Sequence, residues 1–324
     1  MDFGLTGNIT RRLTEYPDNI TCVDTGLIRP QLVASYILEQ NGFAAIIETG
    51  NLASVETILA VLKLKNISKD KVLYVMPTHV HLDHAAGAGH LMQVFPEAQL
   101  VIHPRGARHM MNPEKLWQGA SAVYGEAAME NMYGSVVPVE ESRMLIADDE
   151  FVLDFAGREL LFLDTQGHAR HHYSIYDRQS RGFFTGDTFG MAYRELSTSS
   201  RPYIMPTTTP VQFDPEAWFS TLDKYLSYKP ERMFVTHFGM VENIPPLAAD
   251  LRARIETYVE IANARENSNS RLKSLEAALA ETTMAELRQL GCPLPPAACK
   301  GLLAMDFNLN AQGLDVWLEA RQSQ

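Results

Sequence analysis

The sequence predicts a mixed α/β body followed by an all-helical tail, and three observations carry that prediction. Short apolar runs bounded by turn-forming residues recur from Ile20 to Thr236 and read as strands. Between some of them apolar residues return at helical spacing, as at Val55, Ile58, Leu59 and Leu62. Beyond Pro245-Pro246 the strand signal stops, and Leu247, Leu251, Ile255, Tyr258 and Ala262 recur every three or four residues. The double proline therefore marks the expected boundary between a body over residues 1–244 and a helical extension over residues 245–324. The extension's apolar stripe must be buried, either as a cap on the body or in a homodimer.

The first strands are expected at Ile20–Asp24, Leu32–Leu38 and Ala44–Glu48, and Thr49-Gly50-Asn51 breaks the last before a helix. Lys71–Met76 is a short apolar strand that Pro77 ends. Small residues from Ala85 to Gly89 lead into a helix that stops near Pro96, and Gln99–His103 reads as another strand. Residues 106 to 134 read as helical, with Met110, Met111, Met129 and Met132 filling core or lining a pocket. Strands follow at Met144–Ile146, Phe151–Leu153, Glu159–Asp164, Tyr173–Tyr176 and Gly182–Thr185. Asp214 caps a helix with Pro215 in its first turn, running to Tyr228, and Arg232–Thr236 is the last strand. In the tail, Asn267 to Ser270 separates the first helix from one reaching Ala280, and Met284–Leu290 is a third, stopped by Gly291.

The chain has 324 residues, 46% hydrophobic and 21% charged, which suits one large domain or two ordinary ones. A formal net charge of -11 repels phosphate backbones, so nucleic acid is not an expected partner. Cys22, Cys292 and Cys299 lie far apart in sequence and suggest no disulfide framework. No secretory leader is evident and no run of about 18 apolar residues occurs, so the expectation is a cytoplasmic protein without a membrane span.

The densest chemical signal is residues 79 to 84, His-Val-His-Leu-Asp-His. A solvated loop does not need this composition, since the chain holds only 10 His in all. Neutral imidazole and carboxylate together suit zinc, with iron or manganese as alternatives. Three more ligand-type residues also follow apolar strands: His168 after Gly167, Asp187 after Gly186, and His237 after Thr236. Each alone is explained by a turn cap. Four such strand ends in one chain point to a common site.

The series His-x-His-x-Asp-His, Gly-His, Gly-Asp-Thr and Thr-His-x-Gly resembles the metallo-β-lactamase-fold hydrolase superfamily, over roughly residues 18 to 240. The resemblance implies an α+β fold, a four-layer αβ/βα sandwich with ligands at one edge between two sheets. It implies that His79, His81 and His168 bind a first metal, that Asp83, His84 and His237 bind a second, and that Asp187 bridges them. Two zinc ions per chain would then activate a water, with Asp83 as the catalytic carboxylate that orients it. The expected activity is hydrolysis of a small ester, thioester or lactone by metal-bound hydroxide. A phosphodiester or phosphotriester is the alternative within the same chemistry. Outside it stand a mononuclear iron oxygenase using His79, His168 and Asp187, and a low-turnover metal-containing regulatory or binding protein.

The sequence departs from the family pattern at two places. Glu48 stands where relatives carry an Asp that supports the metal loop. After His168 comes Ala169-Arg170-His171-His172 in place of Thr-Pro-Gly-His; His172 suits a hydrogen-bonding role, while Arg170 and His171 are extra polar groups. Residues 190 to 212 are a polar stretch, ending in Pro206-Thr207-Thr208-Thr209-Pro210, that is expected to overhang the site. Arg170, His171, Tyr193, Arg194 and Tyr203 are the candidate substrate contacts. The bridging Asp187 argues against a true β-lactamase, and no basic glutathione-binding pattern like that of glyoxalase II is present.

Overall fold

The computed structural model describes residues 9–198, 201–208 and 211–322. Thr209 and Pro210, part of the expected overhang, and the first eight residues lie outside the described residues. The chain forms two compact units, interleaved along the sequence. The first comprises Met1–Asp164, His171–Gly186 and Thr236–Gly239; the second comprises Thr165–Arg170, Asp187–Val235 and Met240–Gln324.

The first unit is built on a seven-stranded sheet in sequential order: β1 (Leu13–Tyr16), β2 (Ile20–Asp24), β3 (Ala34–Gln40), β4 (Phe43–Ile47), β5 (Val72–Met76), β6 (Gln99–Ile102) and β7 (Met144–Ile146). β1 to β4 run antiparallel, and β4 to β7 pair in parallel. Parallel neighbours need crossovers, and helices supply them. Helix α1 (Leu52–Leu64) joins β4 to β5, and α2 (Leu82–Ala85) with α3 (Ala88–Val94) joins β5 to β6. α4 (Pro104–Met111), α5 (Glu114–Tyr124) and α6 (Glu126–Tyr133) join β6 to β7. The break at Thr49-Gly50-Asn51 becomes a capping box: Asn51 Oδ1 accepts from Ser54 N at 2.9 Å while Ser54 Oγ accepts from Asn51 N at 3.1 Å.

Ile37, Ile46, Val75 and Leu100 from the sheet meet Ile58, Leu91 and Phe95 from the helices, all fully buried. Each such side chain contributes about 1.5–3 kcal/mol. Met110 and Met129 are fully buried, while Met111 is 38% exposed, so the methionines of this region chiefly fill core.

A second sheet has six strands in the order β13-β12-β11-β10-β9-β8. β8 (Phe151–Phe155), β9 (Arg158–Asp164), β10 (Tyr173–Asp177) and β11 (Gly182–Phe184) run antiparallel in the first unit, with Ile175 opposite both Phe162 and Phe184. β12 (Arg232–Val235) and most of β13 (Gly239–Glu242) belong to the second unit. The fold class is α+β, as expected, and the helical region beyond residue 244 is present.

Among its described residues the second unit holds five α-helices: α7 (Pro215–Ser227), α8 (Ile244–Asn263), α9 (Arg271–Gln289), α10 (Pro296–Leu302) and α11 (Ala304–Gln322). Asp214 caps α7 as read from sequence, its Oδ1 accepting from Ala217 N at 3.0 Å.

Several expectations need correction. β1 and β13 were not anticipated, being only four residues each and partly polar. The expected second and third tail helices are one continuous helix, α9, because Glu281-Thr282-Thr283 does not break it and Thr283 is buried. α10 and α11 were not anticipated, although Phe307, Ala311, Leu314 and Leu318 of α11 recur at helical spacing and are buried. The inner face of α11 also includes Asn310 and Gly313; a Cβ at Gly313 would lie 1.6 Å from the Thr208 carbonyl oxygen, so a backbone occupies that space. Cys292 and Cys299, both remote from Cys22, have sulfurs 3.7 Å apart and are free thiols. Among the described residues, no helix is long and apolar enough to cross a membrane.

Candidate metal centre

Strand β5 delivers the chain to Pro77, and α2 begins at Leu82, so His79 and His81 lie in the intervening loop while Asp83 and His84 lie in the first turn of the helix. The loop is fastened from below by Thr49, whose backbone N–H and hydroxyl both donate to the His84 carbonyl, at 2.8 and 2.7 Å.

Beside it, Glu48 is 1% exposed and has φ +62, a left-handed conformation that costs about 1–2 kcal/mol for a residue with a Cβ. The turn aims its carboxylate into the loop. Oε1 accepts from the Thr78 hydroxyl at 2.6 Å and the Thr236 hydroxyl at 3.1 Å, and Oε2 accepts from Thr78 N at 3.2 Å. His84 Nδ1 lies 3.1 Å from Oε1. The longer side chain of Glu48 thus reaches the loop as a supporting carboxylate.

These contacts fix ring protons. The Thr78 hydroxyl donates to Glu48, so His79 Nδ1, at 3.1 Å, donates to Thr78 Oγ1 and leaves Nε2 as the bare nitrogen. That Nε2 lies 2.8 Å from His81 Nδ1. His237 Nδ1 donates to the Leu32 carbonyl at 2.8 Å, so its Nε2 is bare too. His84 Nδ1 lies 3.1 Å from the Glu48 carboxylate, whose charge favours a proton on that nitrogen.

The bare nitrogens point at acceptors. His84 Nε2 and His237 Nε2 lie 3.4 and 3.3 Å from the same oxygen of Asp83. The ligand atoms of Asp83, His84 and His237 all fall within 4.8 Å of one another. Lone pairs facing lone pairs in a buried cluster are costly unless a positive charge lies among them. Burial raises the Asp83 carboxyl, but where His84 and His237 are protonated their charge and hydrogen bonds lower it more, below the ordinary carboxylate value.

The second unit repeats the arrangement. His168 Nδ1 donates to the Thr207 carbonyl at 2.8 Å, and its Nε2 lies 3.4 Å from Asp187 Oδ2. Both residues are buried. The glycine before His168 is demanded by space: Gly167 has φ +129, and a Cβ there would lie 2.4 Å from that of Trp218. A ligand imidazole whose other nitrogen is held by a carbonyl or carboxylate is the arrangement that orients metal-binding histidines, and both units provide it.

The remaining sequence candidates occupy varied places. His171 is buried, its ring 5.4 Å from that of His81 and stacked at 6.1 Å on that of His79. His172 is fully buried, ring centroids 4.9 Å from His79. Arg170 is exposed and lines a cavity of ≈ 610 Å³ with Gln212, Phe213, Phe219 and Trp317. Tyr193 is buried and donates to Asp306 at 3.0 Å. Tyr203 donates to Glu286 at 2.9 Å, under the Arg254 guanidinium at 4.2 Å. Arg194 is exposed on a short 3-10 turn. The stretch after Asp187 is therefore largely packed: Met191 and Met205 pair as a β-bridge, and Tyr193, Leu196, Tyr203 and Ile204 are buried.

Sequence reading missed Thr78 and Thr236, which connect Glu48 to the histidines. Their signal was position alone, each standing immediately before a ligand-type histidine.

The family profile of the metallo-beta-lactamase superfamily matches residues 28–237, a span that contains all seven candidate ligands. The chain belongs to that superfamily. It is 26% identical over 176 residues to a metallo-beta-lactamase fold-containing protein of Sulfurisphaera tokodaii, covering 53% of this chain and 62% of the relative. It is also 26% identical over 164 residues to the atrochrysone carboxyl ACP thioesterase of Aspergillus fumigatus, covering 50% of this chain and 42% of that enzyme. The chain thus spans less than two thirds of either relative. The crystal structure of an archaeal superfamily protein from Sulfolobus tokodaii aligns with 92% of this chain and 99% of its own, at a TM-score of 0.65 and 20% identity. That likeness concerns the fold.

Proposed function

We propose that this superfamily member is a dinuclear metal-dependent hydrolase acting on a small ester, thioester or lactone. His79, His81 and His168 would hold one ion, Asp83, His84 and His237 the other, and Asp187 would join the two. The observation that carries the reading is the set of bare Nε2 atoms aimed at carboxylate oxygens, His84 and His237 at Asp83 and His168 at Asp187. Neutral imidazoles and carboxylates of this kind are a zinc donor set, which iron or manganese also tolerate. Bound zinc supplies the Lewis acidity that brings a water towards ionisation near neutral pH.

The chain's own groups do the rest. Asp83, kept ionised, accepts a hydrogen bond from the attacking water and orients it. Glu48 and Thr78 keep the imidazoles in the ligating tautomer. The cavity beside Arg170, floored by Phe213 and Trp317, takes the part of the substrate remote from the scissile bond. The similarity to a thioesterase supports a carbonyl ester or thioester over a phosphoester.

The test is metal-quantified protein assayed on nitrophenyl esters, thioesters, lactones and bis-nitrophenyl phosphate. Two zinc per chain with turnover of the first three classes supports the reading. Activity that survives both His81→Ala and Asp187→Ala sinks it, and one iron per chain with oxygen uptake replaces it with the oxygenase alternative.

A further inference from the structure

The tail brings two thiols together. Cys292 Sγ and Cys299 Sγ are 3.7 Å apart, and neither is in a disulfide. Helix α9 ends with Gly291 at φ +73; Gly291 N–H donates to the Arg288 carbonyl at 3.2 Å and Cys292 N–H to the Leu287 carbonyl at 2.9 Å. This paired closure of a helix end fixes the backbone of Cys292. Pro293, Pro295 and Pro296 restrict the connection that follows, and Pro296 opens α10. Cys299 N–H then donates to the Pro295 carbonyl at 3.1 Å, within the first turns of α10. Cys299 is 1% exposed, whereas Cys292 is half-buried.

A disulfide needs its sulfurs at about 2.05 Å, so they must approach by about 1.7 Å, within reach of side-chain rotation. Burial and the neighbouring Cys292 push the Cys299 thiol up to about 11. A solution reagent therefore meets Cys292 first, and Cys299 reacts only with a partner already beside it.

We propose that Cys292 and Cys299 form a reversible dithiol–disulfide site, with Cys292 as the entry thiol and Cys299 as the resolving one. The co-reactant is a small-molecule disulfide. Cys292 thiolate attacks one of its sulfurs, forming a mixed disulfide and releasing one thiol. Cys299 thiolate then attacks Cys292 Sγ, breaking the mixed bond and releasing the second thiol. The two cysteine protons end on the two released thiols, and two electrons pass from the protein to the reagent. Nothing in this scheme involves the histidine centre, so it stands or falls separately from the hydrolase reading.

Oxidised glutathione is the probe, applied to the full chain before alkylation, trypsin digestion and mass mapping without reductant. No Lys or Arg lies between Gln289 and Cys299, so one peptide, Gln289–Lys300, carries both sulfurs. The expected result is that this peptide loses two hydrogens in mass, retains no glutathione, and recovers both thiols with dithiothreitol. Cys299→Ser should stop the reaction at a stable glutathione adduct on Cys292, and Cys292→Ser should leave Cys299 unmodified. A persistent glutathione adduct in the unaltered chain, a bond between two chains, or no reaction at either sulfur overturns the proposal. The wild-type mapping alone decides, so it does not depend on how the variants fold.

Discussion

Two buried polar clusters of the first unit, one around Asp177 and one around Asp83, use similar residue types to opposite ends. Arg158 and Asp177 are 1% and 0% exposed. Arg158 donates from Nε to Asp177 Oδ1 at 3.0 Å, from Nη2 to Oδ2, and from Nη1 to the Asp18 carbonyl at 2.7 Å. Asp177 also accepts from the backbone of Gln179 and Ser180, both at 3.2 Å. The guanidinium and the carboxylate satisfy each other, and each also has a backbone partner, so the pair is matched in charge. Around Asp83 the ring protons point outward to Glu48 and Leu32, and the atoms left facing inward are acceptors. Burial alone therefore does not identify a functional cluster. The direction of its acceptor atoms does.

Substitution separates the two most sharply. Asp83→Asn should cut kcat/KM by about 10³-fold, roughly 4 kcal/mol, and lower the zinc content, because an amide is a poor ligand. The new N–H can donate to His84 or His237, so the denaturation midpoint of the metal-free chain should fall far less than in Arg158→Ala; a fall as large would show that Asp83 is structural. Arg158→Ala should behave in the opposite way. It strands a buried carboxylate and should cost about 3–5 kcal/mol in chemical denaturation while the folded fraction keeps its activity. Loss of activity without loss of stability would collapse the distinction.

Glu48→Gln probes the boundary between the clusters, since Glu48 supports ligands without being one. It should weaken zinc about 10–100-fold in a chelator competition while zinc still binds two per chain when saturating. The smallest effect is a pH dependence. The folded Asp83 carboxyl lies below its unfolded value of 3.8, so it adds stability above that pH and loses it as the pH falls through the folded value. An acid titration of metal-free protein should show this increment in the wild type and not in Asp83→Asn.

How much of this was legible beforehand varied with the physics of each segment. Strands β2 and β7 match the sequence reading to the residue, because buried apolar runs between turns have few competing conformations. The seven ligand-type residues could be named because they follow four strands, His79 to His84 after β5 and His168, Asp187 and His237 after β9, β11 and β12. Thr78, Thr236 and the Leu32 carbonyl could not, since a hydroxyl before a histidine and a backbone oxygen carry no distinctive pattern. In the tail, α11 was overlooked although Phe307, Ala311, Leu314 and Leu318 recur at helical spacing, because a glycine and an asparagine share that face: Thr208 N–H and hydroxyl both donate to Asn310. The thiol pair was hidden for another reason, that a seven-residue separation says nothing until the prolines and the helix end between the two sulfurs are placed.

The hydrogen bond from Thr236 to Glu48 spans 188 residues, and that from His237 to Leu32 spans 205. During synthesis, the loop at residues 79–84 emerges long before the chain that completes its surroundings. A nascent chain stopped short of residue 236 would hold the first ligands without the segment that orients Glu48 and brings in His237. Closing such long loops is entropically slow. The full ligand set is thus assembled by folding already far advanced, and tight metal uptake becomes a late event that reports a nearly finished molecule.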